Sequence, residues 1–356
     1  MKVAGFTFIP HKSQINNDLK RIQKNPNETK DAAMQKFANI ANLNPNCKGF
    51  STLGYLKSSI DCLTVSNYFG PDDGIFIKNI YKDGLYICGC VKNCAKYLQK
   101  VLDNILLISA FFSHCEIIIA YDASDDASLE ILKSMDSLFN LTIIYNNNHG
   151  KTVKNISNAR NSILDYIRTQ NDSNFKFFMM IDMDDVSSSP VHMDLFHTFF
   201  TEKAIETWDA LSFNQNNYYD LWALSIDAYF CSCWHFCGNK QLYLNHLHQY
   251  ITNKLKKASE NPLKNQLVEC VSAFNGCAIY KKDQFIDSYY QTDIQRNMHF
   301  FTNAQVQQNE LLAKTRFSIY SWGDNIHDCE HRFFHLRAKQ LRPDLKIRIS
   351  PQILFH

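Results

Sequence analysis

The hydrophobic pattern of this chain changes period along its length. Leu85–Val91, Cys115–Tyr121, Leu141–Tyr145 and Phe175–Ile181 are short apolar runs that read as strands. Between them the period becomes helical. Ala95–Phe112 carries Leu98, Val101, Leu102, Ile105 and Leu106 at i, i+3, i+4, i+7 and i+8, the stripe of an amphipathic helix. Ser128–Phe139 and Asn155–Thr169 read as two further helices. Strands alternating with helices at this spacing predict parallel βαβ units with right-handed crossovers, hence an α/β fold over residues 81–356.

One stretch organises that frame. Phe177-Phe178-Met179-Met180-Ile181 runs straight into Asp182-Met183-Asp184-Asp185. An uninterrupted apolar run predicts a strand buried on both faces. Such a strand cannot keep ionised carboxylates in its core, so they emerge at its C-terminal end, where open α/β sheets bind ligands. Asp182 and Asp184, two apart, project to one side of an extended chain and suit a hard cation that keeps other positions for water and phosphate. The plainer alternative is an acidic surface turn. No G-x-G-x-x-G and no G-x-x-x-x-G-K-[ST] occurs, which argues against dinucleotide oxidoreductases and P-loop nucleoside triphosphatases.

The second half is less regular. Trp208–Asn214 and Lys346–Phe355 read as strands, and 240–270 reads as helical and exposed. Val271–Tyr280 turns at Asn275-Gly276 and re-enters the sheet. Cys231-Ser-Cys233-Trp-His235-Phe-Cys237, as a strand, would put four potential ligands on one face, although the spacing fits no common zinc pattern. Asp324 to Arg337 is rich in Asp, Glu and His.

Composition narrows the picture. Hydrophobic content of 45% and charged content of 20% mark a globular chain, and the net charge of +2 supplies no reason to expect nucleic acid. No window reaches the roughly 18 apolar residues of a membrane span, and Met1–Pro10 lacks a signal-peptide pattern. The expectation is a soluble, cytoplasmic protein, a virus-encoded one included, with most of its twelve cysteines reduced and buried.

Residues 1–80 differ in being Asn- and Lys-rich. A helix near Asp31–Asn42 precedes Asn46-Cys47-x-Gly49-Phe50-x-Thr52-x-Gly54-Tyr55-x-Lys57, and Asp73-Gly74 is a hairpin signal. The layout resembles a PAN/apple-like module, a small α+β unit that often binds carbohydrate or protein. Of that module's usual disulfide cysteines only Cys47 and Cys62 occur. The alternative is a structural extension packed on the main domain.

Ala120-Tyr121-Asp122, Ala159-Arg160-Asn161, Asp182-Met183-Asp184-Asp185-Val186, Tyr218-Tyr219-Asp220-Leu221-Trp222-Ala223, Phe274-Asn275-Gly276 and Cys329-Glu330-His331 follow one another in order. Together they resemble glycosyltransferases of the GT-A fold, a Rossmann-like mixed sheet flanked by helices. Within that fold the last five are similar to the capsule-associated α-mannosyltransferases of fungi and related viral glycosyltransferases. The resemblance implies a DxD motif, Asp182-Met183-Asp184, holding Mn2+ or Mg2+ that bridges the diphosphate of a nucleotide-sugar donor, a GDP- or UDP-sugar. It implies Asp122 on the nucleoside, Arg160 near the diphosphate, and Asp185 on the loop or the sugar. His331 or His335 would complete the metal shell, favouring manganese. Glu330 or Asp328 would deprotonate a glycan or glycoprotein acceptor if the reaction inverts. If it retains configuration, no dedicated base is needed. Tyr218, Tyr219, Asp220 and Trp222 line either the acceptor site or the core.

Two other classes stay open. A nucleotidyltransferase shares such a frame but usually carries a Gly-rich basic loop after the first strand, where Cys88–Asn93 holds one glycine. A non-catalytic carbohydrate-binding protein would act through residues 1–80.

Overall fold

The structure, a computed structural model, describes all residues except Met1, Cys62, 66–69, Pro71, 136–139, 147–151, 237–238, 261–265 and 321–325. Cys62, Cys237, Asp324 and the end of the helix expected to reach Phe139 therefore lie outside the described residues.

The main unit is built on an eight-stranded sheet. Its strands are β1 (Gly84–Val91), β2 (Cys115–Asp122), β3 (Leu141–Asn146), β4 (Phe175–Asp182), β5 (Ala210–Asn214), β6 (Val268–Glu269), β7 (Cys277–Lys281) and β8 (Ile347–Ile353). Helices α1 (Ala95–Ser109), α2 (Ser128–Ser134) and α3 (Val153–Thr169) connect the first four strands. Two more, α4 (Lys240–Ser259) and α5 (Glu330–Leu341), cover the second half. The strand order is β3-β2-β1-β4-β7-β5-β8-β6. The first four strands are mutually parallel, and β7 adds antiparallel to β4. The chain winds outward from β1 to β3, then returns to place β4 on the other side of β1. That reversal opens a crevice at the C-terminal ends of β1 and β4.

The apolar run of β4 is explained by burial on both faces. Phe178 and Met180 belong to the core under α3, with Ala159, Ile163 and Ile167. Phe177, Met179 and Ile181 belong to the opposite core under α1, with Val101, Leu102 and Ile105. Side chains alternate across a strand, so covering both faces requires every position to be apolar. Asp182 is the last residue of β4, paired in register with Cys90 of β1.

Residues of the N-terminal region form a five-stranded antiparallel sheet from Phe6–Pro10, Asp18–Arg21, Gly49–Ser51, Tyr55–Lys57 and Gly74–Lys78. The helix Lys30–Leu43 packs Met34, Phe37 and Ala38 on one face with Phe50 and Phe76. The other face of the sheet sends Ile9, Ile75 and Ile77 into the core shared with α1.

Three local expectations are corrected. Asp73-Gly74 does not turn a hairpin. Gly74 starts a strand that pairs with Phe6–Pro10 and Gly49–Ser51, partners far away in sequence. The helix expected over 240–270 ends at Ser259, and Val268–Glu269 instead pairs with β8. Among the described residues, Cys231–Phe236 is not a strand but contains a 3-10 turn, Cys233–His235. Both ring nitrogens of His235 are engaged there by main-chain carbonyls, of Ser318 and His327. No described helix is long and apolar enough to cross a membrane.

Candidate active site

The crevice at the switch point is a cavity of about 470 Å³. Its walls come from the ends of three parallel strands: Cys90–Cys94 at the end of β1, Asp122 at the end of β2, and Asp182–Asp184 at the end of β4. The first turns of α3 contribute Thr152, Asn155 and Arg160. The crossing segments add Tyr219, Asp220, Trp222, Phe274, Glu330 and His331. Of the sequence-predicted site residues, Asp122, Arg160, Asp182, Asp184, Glu330 and His331 meet here, and Asp185 and Asp328 do not.

Arg160 is the hub. It is 3% exposed, on the buried face of α3 rather than at a surface. One terminal nitrogen donates to Asp182 Oδ1 at 3.0 Å, and the other ion-pairs with Glu330 Oε1. The Phe274 and Tyr290 rings lie 5.0 and 5.7 Å from the guanidinium carbon, within cation–π range. Burial opposes the charge of Arg160, but Asp182 holds it protonated even more firmly than usual. The guanidinium thus keeps two carboxylates side by side that would otherwise repel.

Asp182 accepts a second hydrogen bond, from the Tyr219 hydroxyl at 3.2 Å. Burial pushes its carboxyl up to about 7; Arg160 works against the rise, while the charges of Asp184 and Asp220 add to it. Asp184 is exposed, and its Oδ1 accepts from the Val186 amide at 3.3 Å, starting the 3-10 turn Asp185–Ser187. Asp185 is exposed on that turn, where its carbonyl accepts from Ser188. Met183, between the two aspartates, turns inward against Gly89, where any Cβ would meet its Sδ at 2.5 Å.

Asp122 is buried at the cavity wall. The neighbouring helix starts are capped by a different residue: Asp126 accepts from the amides of Ser128 in α2 and Ala95 in α1.

The two candidate bases separate. Glu330 lies in the cavity on Arg160. Asp328 is fully buried against Arg332 at 2.9 Å and accepts from Asn297 Nδ2 at 2.6 Å and the Cys329 amide at 2.7 Å. The histidines also separate. His335 is fixed between Ser272 Oγ and the Tyr280 hydroxyl at 2.9 and 3.1 Å, outside the cavity lining. His331 lines the cavity, its ring stacked on Phe274 with centroids 3.7 Å apart. Burial, aided by Arg160, pushes its imidazole well below the usual range and keeps it neutral. Among the described residues no three His, Cys, Asp or Glu side chains converge as a metal-ligand set.

Asn275 joins the halves of the site. It is 1% exposed, with φ of 56°. Its Oδ1 accepts from the amides of Tyr219 and Asp220, and its Nδ2 donates to the Phe213 carbonyl at 2.9 Å. Gly276 follows with φ of 90°, and its carbonyl accepts from the Asp182 amide at 2.8 Å. The sequence marked Asn-Gly as a turn, but no periodicity foretold these long-range bonds. Tyr218 is buried outside the cavity lining, whereas Tyr219 and Trp222 line it.

Among solved structures, the S. aureus TarS 1-349 fragment in complex with UDP-GlcNAc is 12% identical, with a TM-score of 0.40 over 76% of this chain and 57% of that one. Mannosyltransferase PcManGT from Pyrobaculum calidifontis, in complex with GDP-Man and Mn2+, is 12% identical, with a TM-score of 0.34 over 60% of this chain and 49% of that one. The chain thus spans about half the length of the solved structures it matches, and at scores this low no substrate follows from the likeness. No curated protein sequence matches it. The model of the family described as "Glycosyl transferase family 2" matches residues 86–283, from β1 through β7. The mixed sheet with its cavity at the ends of β1 and β4 is of the GT-A type, and the chain belongs to glycosyl transferase family 2.

Proposed function

We propose that the chain transfers a sugar from a nucleotide-sugar donor to a glycan or glycoprotein acceptor with the help of a divalent cation. One observation carries the reading: Asp122, Arg160, Asp182, Asp184 and Glu330 all line a single cavity at the switch point of a family 2 sheet.

Asp122 holds the nucleoside, and the diphosphate lies toward the first turn of α3. Arg160 is committed to Asp182 and Glu330, so it acts on the donor by fixing both carboxylates. The donor set for a cation is small, since Asp182 is shared between Arg160 and Tyr219 and His331 is stacked on Phe274. Asp184 is the exposed carboxylate on the wall. A hard cation that keeps its waters and takes phosphate oxygens needs only one or two carboxylates, so the residues fit Mn2+ or Mg2+ held by Asp184, with Asp182 assisting through water. His331 would join that shell only by leaving its stack. When bound, the cation neutralises the departing diphosphate. Asp185, one residue on, anchors the loop that presents Asp184. Glu330 is the base of an inverting reaction. Asp328, the other candidate, serves Arg332.

The motif likeness to fungal capsule-associated α-mannosyltransferases and related viral enzymes makes GDP-mannose the first donor to test, with UDP-sugars next. We place the boundary between the two units near residue 80. The helix across a small sheet supports the PAN/apple-like likeness. The isoleucines built into the main core support the structural-extension reading of the same residues.

The test is thermal unfolding with UDP, GDP, CDP and their sugars, with and without Mn2+. A ligand of the native state raises apparent stability by mass action. A Mn2+-dependent rise with one nucleotide, absent in Asp184→Asn, is expected. No rise with any nucleotide overturns the reading.

A further inference from the structure

Beside the carboxylates the cavity wall becomes aromatic. Tyr219, bonded to Asp182, is 45% exposed. Trp222 lines the cavity next to it, and Trp234, 36% exposed, meets Trp222 edge to face with centroids 5.9 Å apart. Lys240 Nζ lies 3.1 Å from the centre of the Trp234 ring.

This run is held rigid rather than left over at a surface. The Trp222 indole nitrogen donates to Ser232 Oγ at 3.2 Å, so the ring plane is set. The Trp222 carbonyl accepts from Arg332, which is fully buried and also donates to the carbonyls of Leu224 and Phe230. Asp328 pairs with the same guanidinium. The buried Arg332–Asp328 pair therefore acts as a clamp on the segment carrying Trp222. Rings fixed in advance lose little freedom when something packs on them. Lys240 adds a cation at the end of the run.

We propose that Tyr219, Trp222 and Trp234 form a subsite for the acceptor saccharide, and that Lys240 selects saccharides bearing an anionic group. The C–H faces of a sugar ring pack on the indoles, Asp220 at the cavity wall accepts from ring hydroxyls, and the ammonium meets a carboxylate or phosphate on the sugar. The inference rests on the glycosyltransferase reading for the word acceptor, while the binding of an anionic saccharide can be measured without it.

The experiment is a ligand-observed NMR titration of the full chain with three probes: methyl glucuronide, glucose 6-phosphate and glucose. Each is run with Mg2+, which is diamagnetic, and saturating UDP or GDP, and the nucleotide's own binding is recorded on the same samples. At least one charged probe is expected to bind about tenfold tighter than glucose, the effect of a charge-assisted hydrogen bond. Comparing the two charged probes tells a uronic acid from a sugar phosphate. Lys240→Gln should remove the preference and keep glucose binding, whereas Trp234→Ala should weaken all probes. Equal binding of charged and neutral probes, or a preference that survives Lys240→Gln, overturns the proposal. The second result would place the phosphate among the donor-site groups. Nucleotide binding without any saccharide binding sinks the subsite and leaves the transferase reading standing. Saccharide binding without nucleotide binding does the reverse.

Discussion

Replacing Arg160 with Met removes a cation from between two carboxylates while keeping most of the side-chain volume. The partners are close: Asp182 at 3.0 Å and Glu330 in direct contact, with the Arg160 side chain 4% exposed. Breaking a buried pair by deleting one partner costs about 3–5 kcal/mol, because the remaining charge is left uncompensated. Here the remaining charges can escape by taking up a proton. Asp182 is already pushed up to about 7 by burial, and losing Arg160 removes the main influence holding it down. The variant's folded state then binds protons that an unfolded carboxylate, near pH 4, does not. Its deficit is therefore fully present above the raised native value and shrinks as pH falls below it, by up to about 1.4 kcal/mol per pH unit per group. We expect Arg160→Met to lose about 3–5 kcal/mol in urea unfolding at pH 8 and about 2 kcal/mol less than that at pH 5.5. Adding Asp182→Asn and Glu330→Gln should return most of the stability without returning nucleotide binding. A deficit that does not change between the two pH values would refute the reasoning, because it would show that the carboxylates do not feel the guanidinium.

Gly276→Ala should cost about 2–4 kcal/mol, since φ of 90° strains an L residue and the new Cβ would meet Val186 Cγ1 at 2.4 Å and Tyr219 Oη at 3.0 Å; denaturant titration checks this, and a neutral result would mean that the Asp182–Gly276 backbone contact is loose. Asn275→Ala removes three hydrogen bonds of a buried side chain and places Ala at φ of 56°, for a loss of roughly 3–4 kcal/mol together with weaker Mn2+–nucleotide binding by calorimetry. Asp184→Asn, at an exposed position, should change stability by less than about 1 kcal/mol yet abolish the Mn2+-dependent thermal shift. Acidification should remove the stability contributed by His335 and His197, which burial holds down at about 3 and about 4, against the opposite contribution of Asp182. Their folded values lie below the unfolded one near 6.5, so stability is complete above that pH and is lost as pH falls toward 4, by up to about 1.4 kcal/mol per unit for each. His335→Gln should flatten part of that slope in urea unfolding followed from pH 7 to pH 4.5.

The frame of this protein was legible in the amino-acid order because it follows from burial along single elements. A strand covered on both faces must be apolar at every position, which makes 177–181 unmistakable and forces its charges to the end where the cavity lies. A helix covered on one face must repeat at i, i+3 and i+4, which marks α1. Local order said less where pairing is long-range. Gly74 joined strands from residues 6–10 and 49–51, and Val268–Glu269 is a strand only because β8 passes beside it. The site shows the same division. That Asp182, Asp184, Arg160 and Glu330 stand out as candidate site residues was readable from their residue types and motif order, and the structure brings all four to one cavity. That Arg160 stands between Asp182 and Glu330, under Phe274 and Tyr290, depends on where five separate segments cross. Glu330 and Asp328 are two residues apart with the same charge, yet one faces the cavity and the other is buried on Arg332. Local periodicity is a property of one element and its own faces; which of two neighbouring carboxylates meets which arginine is set only when the elements pack.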